Sequence, residues 1–120
     1  MYLNEKSTNA AYVLGRTFSI LEMIQKNALG DGINATIKDK YFASACSNPS
    51  LVFPNILKLA QHHLAKIEGN YWNIKLGECL ALLDGDSFPK TLNMENQGRF
   101  ILGYYQQYQK NFEKREKESI

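Results

Sequence analysis

Apolar residues recur with helical spacing in five segments of the chain, and polar residues fill the positions between them. In the first segment, residues 7–29, apolar side chains cover roughly half of the circumference, which predicts a well-buried helix. Its other, polar side carries Arg16 and Ser19. Gly15 lies next to Ser19 on the helix, and a residue without a side chain indicates that another backbone approaches closely there. The Gly-Asp-Gly sequence at residues 30–32 is predicted to end this helix.

The second segment, residues 36–46, is a short predicted helix that carries one misplaced charge. Thr36 is a suitable N-cap, and Asp39 three residues later lies near the positive end of the helix. Lys38 falls inside the apolar arc of this helix, whereas Lys40 points away from it. A lysine inside an apolar arc must extend its ammonium past its neighbours or face a partner.

The third segment follows a break at Asn48-Pro49, because proline pushes its predecessor out of the helical region. A helix is predicted to start within residues 50–54, so that Pro54 falls in its first turn, and to continue to residue 67. Its narrow core stripe consists of Phe53, Ile56, Leu57, Ala60, Leu64 and Ile67. Its opposite, polar face consists of Asn55, Lys58, His62 and Lys66.

Two more helices complete the pattern. One covers residues 71–84 and is stopped by Gly85; the other covers residues 94–117, with Asn93 as its N-cap. Phe88, in the linker between them, is predicted to fill the core. The core stripe of the last helix is predicted to consist of Phe100, Ile101, Tyr104, Tyr105, Tyr108 and Phe112, and its polar side of Arg99, Gly103, Gln106 and Lys110. No segment alternates with period two, so the chain is predicted to be all-α, a compact bundle of about five helices in one domain, residues 1–120.

Composition excludes several classes of protein. The 120 residues are 44% hydrophobic and 22% charged, which is ordinary for a globular protein and unlike a disordered chain. The first residues lack the apolar run of a signal peptide, and no apolar stretch is long enough to span a bilayer, so the expected location is the cytoplasm without a membrane. Cys46 and Cys79 fit neither a disulfide framework nor a zinc site and are expected to be buried free thiols.

The reactive side chains do not predict an active site. His62 and His63 are adjacent, about 100° apart around a helix, so they cannot bind one metal ion as an i,i+4 pair would. Cys46 and Cys79 both lie on apolar stripes, where a nucleophile would lack a base and access. No enzymatic activity, catalytic residue, metal site or cofactor is therefore expected. Among the tyrosines, Tyr12 lies on a polar side, and the others on the last helix fit core packing better than base stacking.

Cations on polar faces are the remaining functional signal. The net charge of +2, from 14 basic and 12 acidic residues, argues against a strongly basic free-standing nucleic-acid binder. Composition alone favours charge scattered over the surface for solubility. However, Lys58 lines up with Lys66, and Arg99 with Lys110, and such rows can follow a phosphate backbone without reading sequence.

Several segments in order along the chain resemble the C-terminal helical domain of the large subunit of type I-C CRISPR Cascade complexes. The segments are YVLGR at 12–16 with LE at 21–22, INATIKDKYF at 33–42, VFP at 52–54, LKLAQHHLAK at 57–66, FP at 88–89, ENQG at 95–98 and FILGYY at 100–105. In that family the same region is also made as a separate small subunit, by translation that starts inside the large-subunit reading frame. A chain that begins at Met1 and covers only this domain is expected to be that small subunit.

The resemblance implies a non-catalytic role in a ribonucleoprotein complex for antiviral defence. More than one copy is expected to line the belly of the complex and to contact the backbone subunits, the large subunit and further copies of itself. There it would hold crRNA-bound target DNA or the displaced strand in the R-loop by sequence-independent contacts, while the guide RNA reads the sequence. Two alternatives stay open: a purely structural spacer between proteins, and a fragment of the large subunit, neither of which would contact DNA.

The cations give the candidate contact residues for nucleic acid or for neighbouring subunits. The first group is Arg16, Lys38, Lys40, Lys58 and Arg99, and the second group is Lys26, Lys66 and Lys110. In relatives, the positions of Lys38 and Lys40 resemble arginine positions. Lysine keeps the charge but lacks the two-pronged guanidinium, so its phosphate contact would be less constrained in geometry.

Overall fold

Helices account for all the regular secondary structure in the part of the chain that this computed structural model describes, residues 3–30, 36–83 and 88–119, with side chains to Phe112. No strand occurs in those ranges, which confirms the all-α prediction. The helices are α1 (Ala10–Leu29), α2 (Ile37–Ser47), α3 (Pro49–Leu64), α4 (Tyr71–Leu80) and α5 (Met94–Ser119). The radius of gyration of 13.6 Å is close to the roughly 14 Å expected of a compact chain of this length.

Helix α1 lies at the centre of the bundle and packs against each of the other four helices. Every residue from Ala11 to Leu21 is buried, which confirms the prediction of a well-buried helix. The expectation of a polar side is wrong in one respect, because Arg16 and Ser19 are buried as well. The helix begins three residues later than predicted, since the Asn9 side chain caps it by accepting the Tyr12 N–H at 3.0 Å.

Two glycines let α1 and α5 approach until their backbones are nearly in contact. A Cβ atom at Gly15 would lie 1.9 Å from the carbonyl oxygen of Phe100. A Cβ atom at Gly103 would lie 2.2 Å from the carbonyl oxygen of Tyr12. Since real Cβ atoms essentially never come closer than 3.0 Å to such an atom, only glycine fits at either position. The predicted close approach of a backbone at Gly15 is therefore confirmed, and the backbone is that of α5.

A row of buried hydrogen bonds between side chains runs along the same interface, and we call it the polar row. The bonds join Tyr12 to Gln106, Arg16 Nε to Gln107 (3.0 Å), Gln107 to Asn111 (2.8 Å) and Asn111 to Ser19 (3.2 Å). Polar groups that are buried without partners are costly, so these bonds hold the two helices in one register. Tyr12 is 7% exposed, and its hydroxyl also accepts the backbone N–H of Asn4 at 2.9 Å, so its ring is not available for base stacking.

The side of α5 that faces α1 differs from the predicted stripe. Phe100 and Tyr104 are buried as predicted, but Gln106, assigned to the polar side, is buried too. The predicted core residues that are exposed instead are Ile101, Tyr105 and Tyr108, at 40%, 48% and 37%. The reason is the close contact at Gly103, which fixes the rotation of α5 about its axis whatever the hydrophobicity of its other sides.

The starts of α2 and α5 agree with their predicted caps. Thr36 Oγ1 accepts the Asp39 N–H at 3.1 Å, and the Asp39 carboxylate accepts the Thr36 N–H at 3.3 Å, which is a reciprocal capping box. Asn93 accepts the Asn96 N–H at 2.9 Å. Phe88, predicted to fill the core, stacks on Phe53 with ring centroids 5.5 Å apart.

Helix α3 differs from its prediction at both ends. It begins at Pro49, because proline is well suited to the first helical position, and Pro54 therefore lies inside the helix instead of in its first turn. It ends at Leu64, and tight turns carry the chain on to Ile67, whose N–H donates to the Leu64 carbonyl at 3.2 Å. The predicted core stripe is confirmed: Phe53, Ile56 and Ala60 are buried, and Leu57, Leu64 and Ile67 pack against the core.

Helix α4 is shorter than predicted, ending at Leu80 instead of residue 84, and turns follow it. Gly30 ends α1 with a φ of 85°, a left-handed conformation that favours glycine. The other predicted stops, Gly32 and Gly85, lie outside the described residues. None of the described helices combines the length and the apolar character needed to cross a membrane.

Replacement of either contact glycine by alanine should destabilise the protein severely. Gly103→Ala places a methyl group on the Tyr12 carbonyl, so α1 and α5 must separate, and we expect a loss of at least about 3 kcal/mol in the free energy of unfolding. Urea unfolding followed by circular dichroism measures it.

Gly98→Ala, in the same helix, is the matched control. A Cβ atom at Gly98 meets nothing within 4 Å, so the better helix propensity of alanine should stabilise the protein by about 0.5–1 kcal/mol. Equal stability of the two variants would contradict the close approach of α1 to α5.

Candidate nucleic-acid interface

Five of the eight candidate cations are exposed on the surface. Lys40 lies on α2, Lys58 on α3, and Arg99 and Lys110 on α5, while Lys66 lies in the turn after α3. Arg99 and Lys110 are 11 residues apart on one helix, so they share a side and are separated by about 16 Å along its axis. The helical row predicted for Lys58 and Lys66 is interrupted, because α3 ends before Lys66.

Arg99 is the one exposed candidate with an ion pair among the described residues. Its Nη2 lies 2.8 Å from the Glu95 carboxylate, and its Nη1 donates to the Asn96 side chain at 3.4 Å. The arginine and glutamate side chains are 47% and 72% exposed, and such pairs in water contribute about 0–1 kcal/mol. A phosphate could therefore replace Glu95 as the partner of Arg99 at little cost.

The position of Lys38 inside an apolar arc is explained by three aromatic rings. Its ammonium lies 5.8 Å from the ring centroid of Phe42, 5.1 Å from that of Tyr104 and 5.3 Å from that of Tyr105. Cation–π attraction of this kind stabilises a lysine that is half-buried. Lys38 therefore has partners within the chain, while Tyr105, at 48% exposed, brings the edge of this cluster to the surface.

The rings continue along α5 toward a second lysine. The centroid of Tyr108 lies 6.0 Å from that of Tyr104 and 4.7 Å from that of Phe112, and Lys26 lies 5.1 Å above the Phe112 ring. A groove of about 250 Å³ adjoins this end, and its lining includes Tyr108, Phe112 and Lys26. The aromatic strip, by which we mean Lys38, Tyr105, Tyr108, Phe112 and Lys26, combines exposed rings with cations, as sites for single-stranded nucleic acid do.

Tyr104 fixes the inner side of the aromatic strip. Its hydroxyl donates a hydrogen bond to the Glu22 carboxylate on α1. Burial, together with that hydrogen bond and the charge of Glu22, raises the pKa of the Tyr104 phenol well above its ordinary value. The phenol thus remains a donor at any physiological pH, and the ring that supports Lys38 and Tyr105 is held in place.

Arg16 is placed unlike the other candidates. It is 7% exposed, its Nε donates to Gln107 at 3.0 Å, and its Nη1 is buried without a hydrogen-bond partner among the described residues. It borders a small pocket together with Lys75 and Lys110. Lys75 is not among the cations predicted from the sequence, because the periodicity of α4 does not show which helix its polar side approaches.

Burial shifts the pKa of one histidine and of both cysteines. His63 is buried, and burial, followed by the charges of Lys66 and His62, lowers its pKa. Burial raises the pKa of both the Cys46 and the Cys79 thiols. Cys79 is also held by the Thr17 hydroxyl, which donates to its sulfur at 3.3 Å. Within the described ranges, no three histidine, cysteine, aspartate or glutamate residues are grouped so that they could hold a metal ion.

Comparison with known protein families gives a match over most of the chain. The model of a family described as CRISPR-associated protein (Cas_Csd1) matches residues 1–112, which is most of the chain and includes every candidate cation. No curated protein matches the chain.

Removal of the Lys38 ammonium should destabilise the fold. Lys38→Met keeps the apolar stem but loses the attraction to three rings, so we expect the free energy of unfolding to fall by about 0.5–2 kcal/mol in urea titrations. Lys40→Met, on the same helix but exposed, is the control and should stay within about 0.5 kcal/mol of the parent chain. A Lys38→Met protein as stable as the control would show that the rings contribute nothing to holding the lysine.

Both thiols should be protected in the folded protein. At pH 8 an aromatic disulfide reagent needs a thiolate, and burial keeps Cys46 and Cys79 protonated and out of reach. We expect almost no release of chromophore in native buffer and two equivalents after denaturation. Rapid native labelling that disappears in Cys79→Ser or Cys46→Ser would identify an accessible thiol and contradict its burial.

Proposed function

Because the chain belongs to the Cas_Csd1 family of CRISPR-associated proteins, we propose that it serves as a non-catalytic small subunit of a type I-C Cascade complex. In this role it lines the belly of the complex and helps to hold the R-loop through contacts that do not depend on sequence. The guide RNA then supplies the sequence recognition. The family match over residues 1–112 is the observation that carries the proposal. The cytoplasm, where such a complex would meet invading DNA, is the proposed location.

The exposed cations support the DNA-contact part of this proposal. Lys40, Lys58 and Arg99 come from three different helices, so a nucleic acid that touched all three would cross the bundle and not follow one helix. Contacts from lysine and arginine to phosphates position a strand and give affinity without reading bases. Lys66 and Lys110 extend the set. Lys38 and Lys26 contribute through the aromatic strip, where an unpaired base could stack on Tyr105 or Tyr108.

Exposed apolar side chains support contacts with proteins and favour a second candidate function, the structural spacer. On α5, Ile101 is 40% and Leu102 38% exposed, next to the exposed ring of Tyr105. Leu51, at the start of α3, is 71% exposed. Neighbouring exposed apolar side chains, such as these three on α5, can form a protein interface. The proposed partners are the backbone and large subunits of the complex and further copies of this chain. The spacer hypothesis assigns the chain these contacts and no contact with DNA.

Reversal of the three exposed charges should weaken the retention of target DNA. We expect a complex assembled with Lys40→Glu, Lys58→Glu and Arg99→Glu to release target DNA at lower salt than the parent complex. The log–log dependence of the binding constant on salt should become shallower by about one unit for each phosphate that the variant no longer neutralises. Filter binding or gel shift over a salt series measures both quantities.

The control is Lys90→Glu, which makes the same change of charge at an exposed lysine outside the candidate set. It should leave retention of DNA nearly unchanged. A salt titration of complex assembly, without DNA, tests the spacer alternative in the same variants. If the triple variant assembles normally and keeps target DNA with an unchanged salt dependence, the DNA-contact role is wrong and the spacer role stands.

A further inference from the structure

Arg16 is a buried positive charge whose partners within the described chain do not neutralise it. The residue is 93% buried, and only Nε has a described hydrogen bond, to the neutral amide of Gln107. Nη1 is buried and has no partner among the described residues. No carboxylate in those ranges lies within 4 Å of the guanidinium, since the ion pairs found there are Lys75–Glu78 and Arg99–Glu95. A buried charge without a counter-ion is strongly unfavourable, so an anion is the missing partner.

The pocket beside Arg16 has the size and the polar lining for such an anion. It has a volume of about 50 Å³ and lies between the N-terminal segment, α1, α4 and α5. A water-sized group needs about 10–15 Å³ of such space, so the pocket holds the oxygens of one small oxyanion but not a nucleobase. Gln107 and Asn111 of the polar row line it, as do the cations Lys75 and Lys110.

Two carboxylates also line the pocket, and their negative charges offset part of the positive charge of the cations. Glu78 is 62% exposed and lies 3.4 Å from Lys75, so it is directed toward solvent and shares its charge with that lysine. Glu5 is exposed in the N-terminal segment. Three cations against two carboxylates leave one positive charge at the pocket, and the buried charge is that of Arg16.

We propose that this pocket binds a single phosphate group, with Arg16 as the principal ligand and Lys75 and Lys110 as flanking cations. A guanidinium suits this role because its planar set of N–H donors matches the oxygens of a phosphate. The ligand is either a free phosphate ion or one phosphodiester of a nucleic-acid backbone. Binding of a phosphodiester rests on the proposed function, whereas binding of free phosphate does not.

The test uses the full chain and inorganic phosphate as the probe. Thermal unfolding is followed at pH 7.5 in sodium phosphate and in sodium chloride of equal ionic strength. Phosphate also stabilises proteins in general by its exclusion from their surface, but that effect grows without saturation, so a saturable rise reports binding. At ten times its dissociation constant, phosphate should raise the Tm of the parent chain by roughly 5 °C, with saturation. In Arg16→Met the saturable rise should vanish, because the principal ligand of the phosphate is gone.

Two further variants keep the proposal testable if Arg16→Met fails to fold. Glu78→Gln removes a competing carboxylate and should lower the phosphate concentration at half-saturation several-fold. Lys90→Met, with the same loss of charge at an exposed site outside the candidate set, should respond to phosphate as the parent chain does. The proposal is overturned if the parent chain shows no saturable rise. It is also overturned if Glu78→Gln lowers the Tm in chloride without tightening phosphate binding, since Glu78 would then be the counter-ion of Arg16.

A ten-residue thymidine oligonucleotide distinguishes the two sources. If it competes with inorganic phosphate in the parent chain and binds more weakly to Arg16→Met, the ligand is a phosphodiester. If inorganic phosphate binds and the oligonucleotide does not compete, the ligand is free phosphate. The site then stands, and the DNA-contact role is judged separately by the charge-reversal experiment in the assembled complex.

Discussion

The close approach of α1 and α5 at two glycines determines the rest of the bundle. Because Gly15 and Gly103 have no side chains, the two backbones meet, and only a narrow range of separations and rotations is then allowed. With the spacing fixed, the polar row forms between the helices with hydrogen bonds of ordinary length. The remaining helices pack around this pair, and α1 touches all of them. Separation of α1 from α5 would therefore remove both the packing and the partners of several buried polar groups.

The same approach explains why the functional side chains lie where they do. It turns Gln106 inward and so turns Tyr105 and Tyr108 outward, although aromatic residues are ordinarily the better core residues. The exposed rings of the aromatic strip and the buried charge of Arg16 thus have one cause. If the most hydrophobic side of α5 faced α1 instead, the protein would have neither the exposed rings nor the buried charge.

Local features could be predicted from the sequence, and features that depend on the neighbouring helix could not. The Thr36 cap, the Asn93 cap and the stripe of α3 follow from residues within a few positions of one another. The burial of Arg16 required knowledge of which helix covers it, and so did the rings above Lys38, since two of the three come from α5. Periodicity identified Lys38 as misplaced, but it could not supply the partner. The candidate contacts with nucleic acid remain predictions, since a row of surface charges does not identify the ligand that binds to it.

The order of the helices along the chain also affects how the protein is made. The helices of the closest pair are the first and the last, and the hydrogen bond from Arg16 joins residues 91 positions apart. Pairing over such a long range costs loop entropy before it stabilises anything, so folding is slower than the helical content suggests. During synthesis, the apolar and polar sides of α1 that contact α5 remain uncovered until α5 has left the ribosome. The central helix is thus the part of the nascent chain most exposed to aggregation and most in need of a chaperone.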